Sequence, residues 1–584
     1  MCRLRKTDAY TPGRGRAAAG QHPNMMQHVP FDPRLPLATG IGAEGAGTLR
    51  LKPVWDQLAR TLLFCLVVIA SLTFRDYGIS TDEEVQHIYG QKLLAFYTSG
   101  FQDWSAFTFK DLYLYGGLFD LAVALLVPIS PFEEYETRHL LCAIVGVLGI
   151  AGTWRLGRLL AGPRAGFLAA VMLALSGVYY GAMFNNTKDV PFAAGMVWTV
   201  YFATRMALQF PQPRRSAVLK FGLALGLSLG IRVGAILAGV YLGAAAVLYV
   251  ILVARRAGWR TALADATSII LRSLPALPVA YALMAALWPW GVFEPLNPFR
   301  ALFTFSSFQH LQFSLQTLFL GEMVSAVDAP MLYLPVYLLI KLPEAVVAGT
   351  GIAVLWGIVW AVRTMRSRHA AWDPAVRCTI TVLAAFLPVL MFVAMRPTVY
   401  NGIRHFMFVV PPMIVLAAVA FDRLWSVAEA RSELTGRAVA LALAATATVQ
   451  AWGLGTLHPN QYVYYNHFVG GMKGAADRFE LDYWGNSLHE ATQELIAFVE
   501  RENDGGAPPR VYSLTVCGNP LAVRYDLPPW LKLVNGIEPD WRRADFFLAF
   551  TQSRRCPSLL DGRPIIEIGV DGVPLSIVKD RRRV

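Results

Sequence analysis

Charged residues are scarce in this sequence. Only 16% of its 584 residues are Asp, Glu, Lys or Arg, whereas 55% are hydrophobic. A soluble globular chain carries about a quarter charged residues, so this composition excludes an ordinary soluble protein. The chain also has no Walker loop, no HExxH motif and no CxxC pair. Cytoplasmic ATP use and zinc hydrolysis therefore find no support.

Long apolar runs are what the sequence has in abundance. Eleven of them approach the roughly 20 residues that a helix needs to cross a bilayer. They lie at residues 58–74, 139–160, 165–184, 190–208, 217–231, 234–254, 271–290, 338–362, 378–395, 405–421 and 436–455. The sequence therefore predicts an all-α polytopic membrane protein with about eleven transmembrane helices.

Basic residues cluster in five short loops between these runs. The clusters are Arg155/Arg158/Arg164, Arg214/Arg215/Lys220, Arg255/Arg256/Arg260, Arg363/Arg366/Arg368 and Arg423/Arg431/Arg437. Loops rich in Lys and Arg stay cytoplasmic, and eleven spans put all five inside together with a basic N-terminus. A twelfth span at Leu112–Ile129 would put them outside. We therefore predict that this run is re-entrant or interfacial within a large first external loop, residues 75–138; an ordinary span is the alternative.

The two ends of the chain differ from the middle. Residues 1–54 are predicted to be a disordered cytoplasmic N-terminus, and residues 55–455 the transmembrane domain. From residue 456 the composition turns polar, and a small α/β extracytoplasmic domain is predicted over residues 456–584. Its expected elements are a helix at Ser487–Glu502, strands at Arg510–Thr515 and Asp545–Phe550, and a hairpin at Pro564–Lys579.

Two of the six cysteines, Cys517 and Cys556, lie in this predicted external domain. An oxidising compartment permits a disulfide between them. Neither their spacing nor the sequence around them shows that they approach each other, so both the bonded and the free state stay open at this point.

Asp82 and Glu83 stand in a polar loop just after the first predicted span. The predicted topology places them on the non-cytoplasmic face, together with the loop 185–189, the segment 396–404 and the C-terminal domain. Carboxylates at a membrane surface are typical of chemistry or ion handling. A site could therefore be assembled on this face.

Two further groups of charged residues reach the same face. Lys188 and Asp189 precede Pro191 at the start of the fourth predicted span, which puts an ammonium and a carboxylate near a helix N-terminus; a helix cap with interfacial charges is the alternative. Arg404 and His405 open the tenth predicted span. Arg232 lies between two apolar runs, and it is either a snorkelling residue or an anion ligand.

Three motifs together carry a family resemblance. They are the acidic pair Asp82-Glu83, the segment Asn-Asn-Thr-Lys188-Asp189-Val-Pro-Phe-Ala, and Arg404-His405 followed by Pro411-Pro412. With this architecture the chain resembles the protein O-mannosyltransferase and aminoarabinose-transferase branch of the GT-C glycosyltransferases. The resemblance implies a GT-C-like membrane fold with juxtamembrane helices in the first loop. It also implies transfer of a sugar from a polyprenyl-phosphate-linked donor to a glycan, lipid or protein acceptor.

The resemblance implies roles for individual residues. Asp82, Glu83 and Asp189 are the expected catalytic carboxylates, and Lys188, Arg404, His405 and Arg232 are expected at the donor phosphate. The mannosyltransferase His-Pro-Pro segment of the first loop is absent, and Lys110-Asp111 begins the stretch that replaces it. The sugar and the acceptor therefore stay undetermined.

Aromatic and amide side chains are dense just after the last predicted span. Such groups stack on and hydrogen-bond to carbohydrate, so acceptor binding is one interpretation, and an aromatic belt plus a domain core is the other. The candidate acceptor residues are Tyr464, Tyr465, Asn466, Asp482 and Trp484.

Two other classes of protein remain open at this stage. A secondary transporter would show repeated halves and midplane charges, and a non-catalytic scaffold would not need both acidic loops on one side. No cofactor is certain, although the three carboxylates could bind a divalent metal. The net charge of +12 lies largely in cytoplasmic segments, so contact with lipid is expected and contact with nucleic acid is not. The expected location is the inner or plasma membrane.

Overall fold

A computed structural model describes residues 54–307, 315–366, 373–534, 541–552 and 555–583. The predicted disordered N-terminus falls outside these residues except for Val54. Helices form most of the described chain. The first fourteen are α1 Val54–Thr73, α2 Glu83–Thr98, α3 Leu118–Leu126, α4 Glu134–Ala161, α5 Pro163–Ala174, α6 Gly177–Tyr180, α7 Ala182–Asn185, α8 Asp189–Ala207, α9 Arg215–Leu229, α10 Leu237–Ala257, α11 Trp259–Ser273, α12 Ala276–Leu287, α13 Trp290–Phe293 and α14 Asn297–Ser307.

A short hairpin follows, and long helices then resume. The hairpin pairs β1 Gln316–Phe319 with β2 Glu322–Ser325. The next helices are α15 Tyr333–Lys341, α16 Glu344–Arg366, α17 Asp373–Met395, α18 Val410–Arg431, α19 Glu433–Thr456 and α20 Gly471–Ala475.

Each of the eleven predicted apolar runs falls on helical structure. Within the described ranges, eight helices are long and apolar enough to cross a membrane, and nine if the bent pair Pro163–Ala174 and Gly177–Asn185 counts as one span. Two predicted runs form α8 and α9, which do not belong to that set of eight. A multi-pass, mostly helical chain is therefore confirmed, whereas the number of eleven spans is not.

The run Leu112–Ile129 forms only one short helix, α3, between single 3-10 turns. Its 9 residues rise about 14 Å at 1.5 Å per residue, roughly half of a hydrocarbon core about 30 Å thick. α3 packs closely on α2. The two backbones approach so closely at Gly90 that a Cβ added there would lie 2.3 Å from the carbonyl oxygen of Asp120. A helix of this length favours the re-entrant or interfacial interpretation over a span.

Local signals set the bounds of the helix that follows. α4 begins with a capping box, in which the Glu133 backbone N–H donates to the Glu136 carboxylate and the Glu133 side chain accepts from the Glu136 backbone. It ends at Gly162, whose φ of +99° favours glycine. Pro163 then opens α5, since its missing N–H costs nothing in a first turn.

The C-terminal region contains a small sheet domain. Its elements are α21 Ser487–Glu502, β3 Tyr512–Cys517, α22 Leu521–Arg524, β4 Leu531–Leu533, β5 Phe546–Phe550, β6 Arg563–Val570 and β7 Val573–Asp580. The sheet order is β4-β3-β5-β7-β6, with β3 parallel to both its neighbours and β6–β7 a hairpin. The apolar face of α21 covers the sheet. Cys517 and Cys556 form a disulfide at a Cα–Cα distance of 5.5 Å.

The segment between α19 and α21 packs into the membrane-embedded helices. A Cβ on Gly181 would lie 2.3 Å from the backbone nitrogen of Tyr462, and the Tyr77 hydroxyl donates to Gln461 at 2.9 Å. The Asn486 side-chain oxygen accepts from the Gly78 N–H at 2.8 Å and from the Asn185 amide at 2.9 Å. The first loop and the loop before α8 are therefore held against the same buried amide. A domain boundary at residue 456 stays a prediction.

Candidate active site

A cavity of about 200 Å³ lies where α2 and α8 begin and where the chain enters α18. Six of the seven residues predicted for catalysis or phosphate binding line it, namely Asp82, Lys188, Asp189, Arg232, Arg404 and His405. Glu83 is the exception. The other lining residues are Val85, Gln86, Lys110, Asp111, Leu112, Tyr115 and Tyr400.

Asp82 and Arg404 form an ion pair on one side of the cavity. Asp82 immediately precedes α2, and Arg404 begins a 3-10 turn that leads into α18. The Arg404 Nη1 lies 2.9 Å from the Asp82 Oδ2, and its Nη2 donates to the Tyr400 hydroxyl at 3.1 Å. The guanidinium is 6% exposed and the carboxylate 44%. A buried cation thus stands beside a carboxylate that solvent and substrate can reach.

Asp189 and Arg232 form a second pair. The Arg232 Nη2 lies 2.5 Å from the Asp189 Oδ1. Asn186 fixes this carboxylate, since its side-chain nitrogen donates to the Asp189 Oδ2 at 2.9 Å while its oxygen accepts from the Asp189 N–H at 2.9 Å. The Asn186 side chain therefore orients Asp189 at the start of α8. The N-cap residue of α8, Lys188, makes no side-chain cap hydrogen bond.

Lys188 lies against an aromatic ring. Its Nζ is 3.6 Å from the centroid of the Tyr115 ring, and the Arg232 guanidinium lies 5.5 Å from the same centroid. Burial lowers the pKa of Lys188 to about 8, although Asp120 nearby opposes this effect. Three cations from distant parts of the sequence, Lys188, Arg232 and Arg404, thus line one cavity.

Close backbone contact brings Tyr115 to this place. The Gly116 N–H donates to the Ile231 carbonyl at 3.1 Å, and the Leu118 N–H to that of Gly230 at 2.9 Å. A Cβ on Gly116 would lie 2.2 Å from the Gly230 carbonyl oxygen. A side chain at position 116 would therefore force the two backbone segments apart. The first loop is therefore joined directly to the segment that carries Arg232.

Glu83 lies outside the cavity, although it adjoins Asp82. Its side chain is completely buried, and its Oε2 accepts from the Ser80 N–H at 2.6 Å. The His139 Nε2 lies 3.1 Å from its Oε1, and the Arg138 Nε lies 3.9 Å away. These contacts brace the first loop against α4, and they leave Asp82 as the member of the pair that faces the cavity.

Arg138 is an important residue that the motifs do not reveal. It is completely buried, and its Nη2 donates to Gln86 at 3.0 Å, to Thr187 at 2.8 Å and to Asp120. It thereby joins α2, α3, α4 and the loop before α8. In the sequence it stands one residue before an apolar run, where an arginine is typical of snorkelling. Only its three hydrogen-bond partners, which lie far apart in the chain, distinguish it from a snorkelling arginine.

The five candidate acceptor residues do not line the cavity. Asn466 donates to the carbonyls of Leu339 and Leu342 at 2.7 and 2.8 Å, and Asp482 accepts from the backbone of Asn486 and Ser487. These are contacts of a domain core, the alternative that the sequence left open.

The three aromatic members of that set are buried as well. The Tyr464 hydroxyl lies 3.3 Å from Glu344, and the Tyr465 hydroxyl donates to the Glu480 carbonyl at 2.6 Å. Trp484 is 2% exposed, and its ring centroid lies 6.0 Å from the Arg404 guanidinium. Of these five residues, Trp484 thus lies near a cation of the cavity, Arg404, although it does not line the cavity itself.

Among the residues that the structure describes, no group of three His, Cys, Asp or Glu side chains is arranged to hold a metal ion.

One family model matches part of the chain. Residues 120–285, less than a third of the sequence, match the model described as dolichyl-phosphate-mannose-protein mannosyltransferase. This match confirms the resemblance that the three motifs predicted. No curated protein matches the chain.

Several solved structures are similar at low identity. ArnT from Cupriavidus metallidurans bound to undecaprenyl phosphate is 14% identical with a TM-score of 0.45, over 90% of this chain and 98% of that one. The oligosaccharyltransferase AglB from Archaeoglobus fulgidus is 13% identical with a TM-score of 0.40, over 84% and 69%. The arabinosyltransferase EmbB from Mycobacterium smegmatis is 14% identical with a TM-score of 0.36, over 65% and 32%. Similarity at this level assigns no residue roles.

Proposed function

We infer that this chain, a membrane glycosyltransferase similar to the dolichyl-phosphate-mannose-protein mannosyltransferases, transfers a sugar from a polyprenyl-phosphate-linked donor to an acceptor at the non-cytoplasmic face. One observation carries the inference. Around a single cavity stand a reachable carboxylate, Asp82, and three cations, Lys188, Arg232 and Arg404. A base beside an anion site is what transfer from a phosphate-linked sugar requires.

The cations bind the donor phosphate. Arg404 and Arg232 each carry more N–H donors than their carboxylate partners use, so each can contact a phosphate oxygen while it keeps its ion pair. The Lys188 ammonium lies 3.6 Å from the centroid of the Tyr115 ring. It therefore faces an uncharged aromatic ring, and a phosphate can add a charged partner. The polyprenyl tail stays in the bilayer, and the charged head enters the cavity.

Asp82 acts as the general base. It takes the proton from an acceptor hydroxyl, whose oxygen attacks the anomeric carbon and forms the new glycosidic bond with inversion. The bond from the anomeric carbon to the phosphate oxygen breaks, and its electron pair leaves with polyprenyl phosphate. A phosphate leaving group needs cations rather than a general acid, in contrast to the protonated alcohol of glycoside hydrolysis.

Asp189 and Glu83 have positioning roles in this mechanism. Asp189 holds Arg232 at 2.5 Å and so orients one phosphate ligand. Glu83 anchors the loop that presents Asp82, through the Ser80 N–H and the α4 side chains Arg138 and His139. A hundredfold loss of rate is therefore expected only for the base itself.

The acceptor enters on the side of the cavity that Lys110 and Asp111 line. This stretch replaces the family's His-Pro-Pro segment, so it is where acceptor or sugar preference differs. A secondary transporter is not favoured, because six of the charged or titratable candidate residues line one cavity instead of being spread over several spans. The N-terminus is cytoplasmic and the C-terminal domain extracytoplasmic in this proposal, as the basic loops indicate.

The test is sugar transfer by the purified protein in lipid nanodiscs with a radiolabelled polyprenyl-phosphate sugar. Wild type should release polyprenyl phosphate in proportion to the sugar transferred. Asp82→Asn should not, whereas Glu84→Gln, a matched change on the exposed neighbour, should retain activity. Equal activity of Asp82→Asn and wild type would remove Asp82 as the base.

A further inference from the structure

A second cavity, of about 520 Å³, is lined by other residues than the candidate site. It is a groove between α5, α18 and α19, bounded by Trp55 of α1 at one end and by the start of α16 at the other. We call it the α19 groove. We propose that it binds one acyl chain of a membrane phospholipid.

The walls of the α19 groove select hydrocarbon over water. They consist of apolar side chains such as Phe167, Met172 and Leu441, and polar groups occur chiefly at one end, at Glu344 and Gln450. An apolar cavity of this kind does not hold water, because a buried water needs two to four polar partners.

The polar groups at that end are already engaged. The Gln450 amide donates to the Leu175 carbonyl at 3.2 Å, and the Glu344 carboxylate accepts from the His467 backbone N–H at 2.7 Å. A polar ligand would therefore have to break these contacts. A methylene chain would not.

The length of the α19 groove matches one lipid leaflet. Its lining runs along α19 from Ala440 to Gln450, a rise of about 15 Å at 1.5 Å per residue. A hydrocarbon core about 30 Å thick contains two acyl layers of about that length. One chain of one leaflet fills such a groove without bending into the other.

The surface around the α19 groove is itself exposed and apolar. Only 6% of the apolar window of α19 is buried, and Leu441, Val449 and Trp452 are 71%, 68% and 78% exposed. In a multi-pass membrane chain such a surface faces lipid tails. The groove is continuous with it, so lipid is the molecule that surrounds its opening at high concentration.

The end of the α19 groove that carries two tryptophans resembles a membrane interface. The rings of Trp55 and Trp425 meet edge to face at 5.6 Å, and the Arg164 guanidinium lies 4.7 Å from the Trp425 ring. Indole rings concentrate at the headgroup level. Arg164 is paired with Asp422 and Glu429, so the guanidinium beside the Trp425 ring is already engaged by two carboxylates.

The donor's polyprenyl chain is a less suitable occupant. No described residue that lines the α19 groove also lines the candidate active-site cavity, so the groove is not an extension of the cavity that would hold the donor phosphate. The inference is thus independent of the proposed transfer reaction.

The experiment uses the full-length protein in phosphatidylcholine nanodiscs that contain a photoactivatable phosphatidylcholine with a diazirine in its acyl chain. Irradiation should label peptides from residues 163–175 and 440–450. Ala447→Phe fills the groove and should remove most of this label. Ala445→Phe, on the same helix but outside the groove lining, should not, and Ala444→Phe is a second groove variant if Ala447→Phe does not purify.

Two results would overturn the proposal. The first is equal labelling of the groove peptides in wild type and both groove variants. The second is loss of the label when polyprenyl phosphate is added in excess, which would make the donor's chain the occupant.

Discussion

Asp82 and Glu83 are neighbours in sequence with different surroundings. Asp82 is 44% exposed beside Arg404, whereas Glu83 is enclosed by backbone and α4 side chains. Asp82→Asn should lower the transfer rate by about a hundredfold or more, which is what a general base supplies. Binding of polyprenyl phosphate should be retained or become tighter, because Arg404 no longer shares its charge with a carboxylate. Single-turnover rates and equilibrium binding in nanodiscs measure the two effects.

Glu83→Gln distinguishes the role of the general base, Asp82, from that of Glu83, which anchors the loop. It keeps the volume and the acceptor oxygen at Ser80 but loses the charge that faces Arg138 and His139. A lower yield of folded protein is expected, with a rate per folded molecule closer to wild type than that of Asp82→Asn. The opposite ranking of the two rates would exchange their roles.

Lys188 should make donor binding depend on pH. Burial lowers its pKa to about 8, so the ammonium is charged below that pH and is lost above it. Affinity for polyprenyl phosphate should therefore be flat from about pH 7 to about pH 8 and then fall as pH rises toward about 9.5. Lys188→Arg, which stays protonated, should abolish the decline, and Lys188→Ala should cost roughly 1.5–3 kcal/mol of binding free energy at neutral pH.

The control for this titration is Arg404→Ala. It should weaken binding by roughly 1.5–3 kcal/mol but leave the decline above pH 8 in place, because Lys188 is still present. A decline that persists in Lys188→Arg would assign the titration to another group.

At the scale of elements, α4 holds the two halves of the site together through Arg138. Its guanidinium contacts Gln86 of α2, Asp120 of α3 and Thr187 before α8. Arg138→Ala leaves Asp120 buried without its cation and should cost about 3–5 kcal/mol of folding free energy. The midpoint of thermal unfolding of the purified protein measures it.

Two matched variants test whether the lost ion pair causes that loss of folding free energy. Arg155→Ala removes an arginine from the same helix that is only partly buried and should cost little. The double variant Arg138→Met and Asp120→Leu removes the ion pair and should lose less stability than Arg138→Ala, since Asp120 is no longer left buried without its cation. Equal losses in the single and double variants would contradict a role for the ion pair.

The C-terminal sheet is an element with its own constraint. The Cys517–Cys556 disulfide closes a loop with a sequence separation of 39 residues, for which chain entropy gives a stabilisation of at most about 4 kcal/mol. Replacement of both cysteines by alanine should lower the unfolding midpoint, whereas Cys378→Ala, a free cysteine of α17, should change it little. An unchanged midpoint in the double variant would indicate that the sheet is held without the bond.

At the scale of the whole molecule, the proposal depends on which face of the membrane the site occupies. Single cysteines at Gln102, Ser130 and Ser558 should react with an impermeant thiol reagent added outside, whereas one at Ser216 should not, because Ser216 lies within the basic cluster Arg214/Arg215/Lys220 at the start of α9. Cys2, Cys65, Cys142 and Cys378 are replaced beforehand.

Two patterns of labelling would contradict this topology. Labelling of Ser216 alone would show that the chain has the opposite orientation in the membrane. Labelling of Gln102 without Ser130 would make Leu112–Ile129 a true span and would separate Asp82 from the C-terminal domain.

Composition and local pattern determined the class of this protein and most of its elements. Apolar runs of membrane length specify helices almost wherever they occur, because backbone groups in hydrocarbon must be satisfied within the segment. For the same reason of local chemistry, α21 was predicted with its bounds, Ser487–Glu502, and the hairpin turn at Asp571-Gly572 from its residue types. The three motifs also contained five of the residues that line the cavity, and Arg232, between two apolar runs, was a sixth.

Only the tertiary structure decided how these residues divide their roles. Asp82 and Glu83 carry the same group, and what separates them is Arg138 and His139, which approach from α4 on one side only. Tyr115 meets Lys188 because two glycine-containing segments touch along their backbones, and the disulfide forms because β3 and a distant loop meet. Such contacts join residues far apart in the chain, so no local pattern specifies them, whereas helix formation in a membrane depends on neighbours alone.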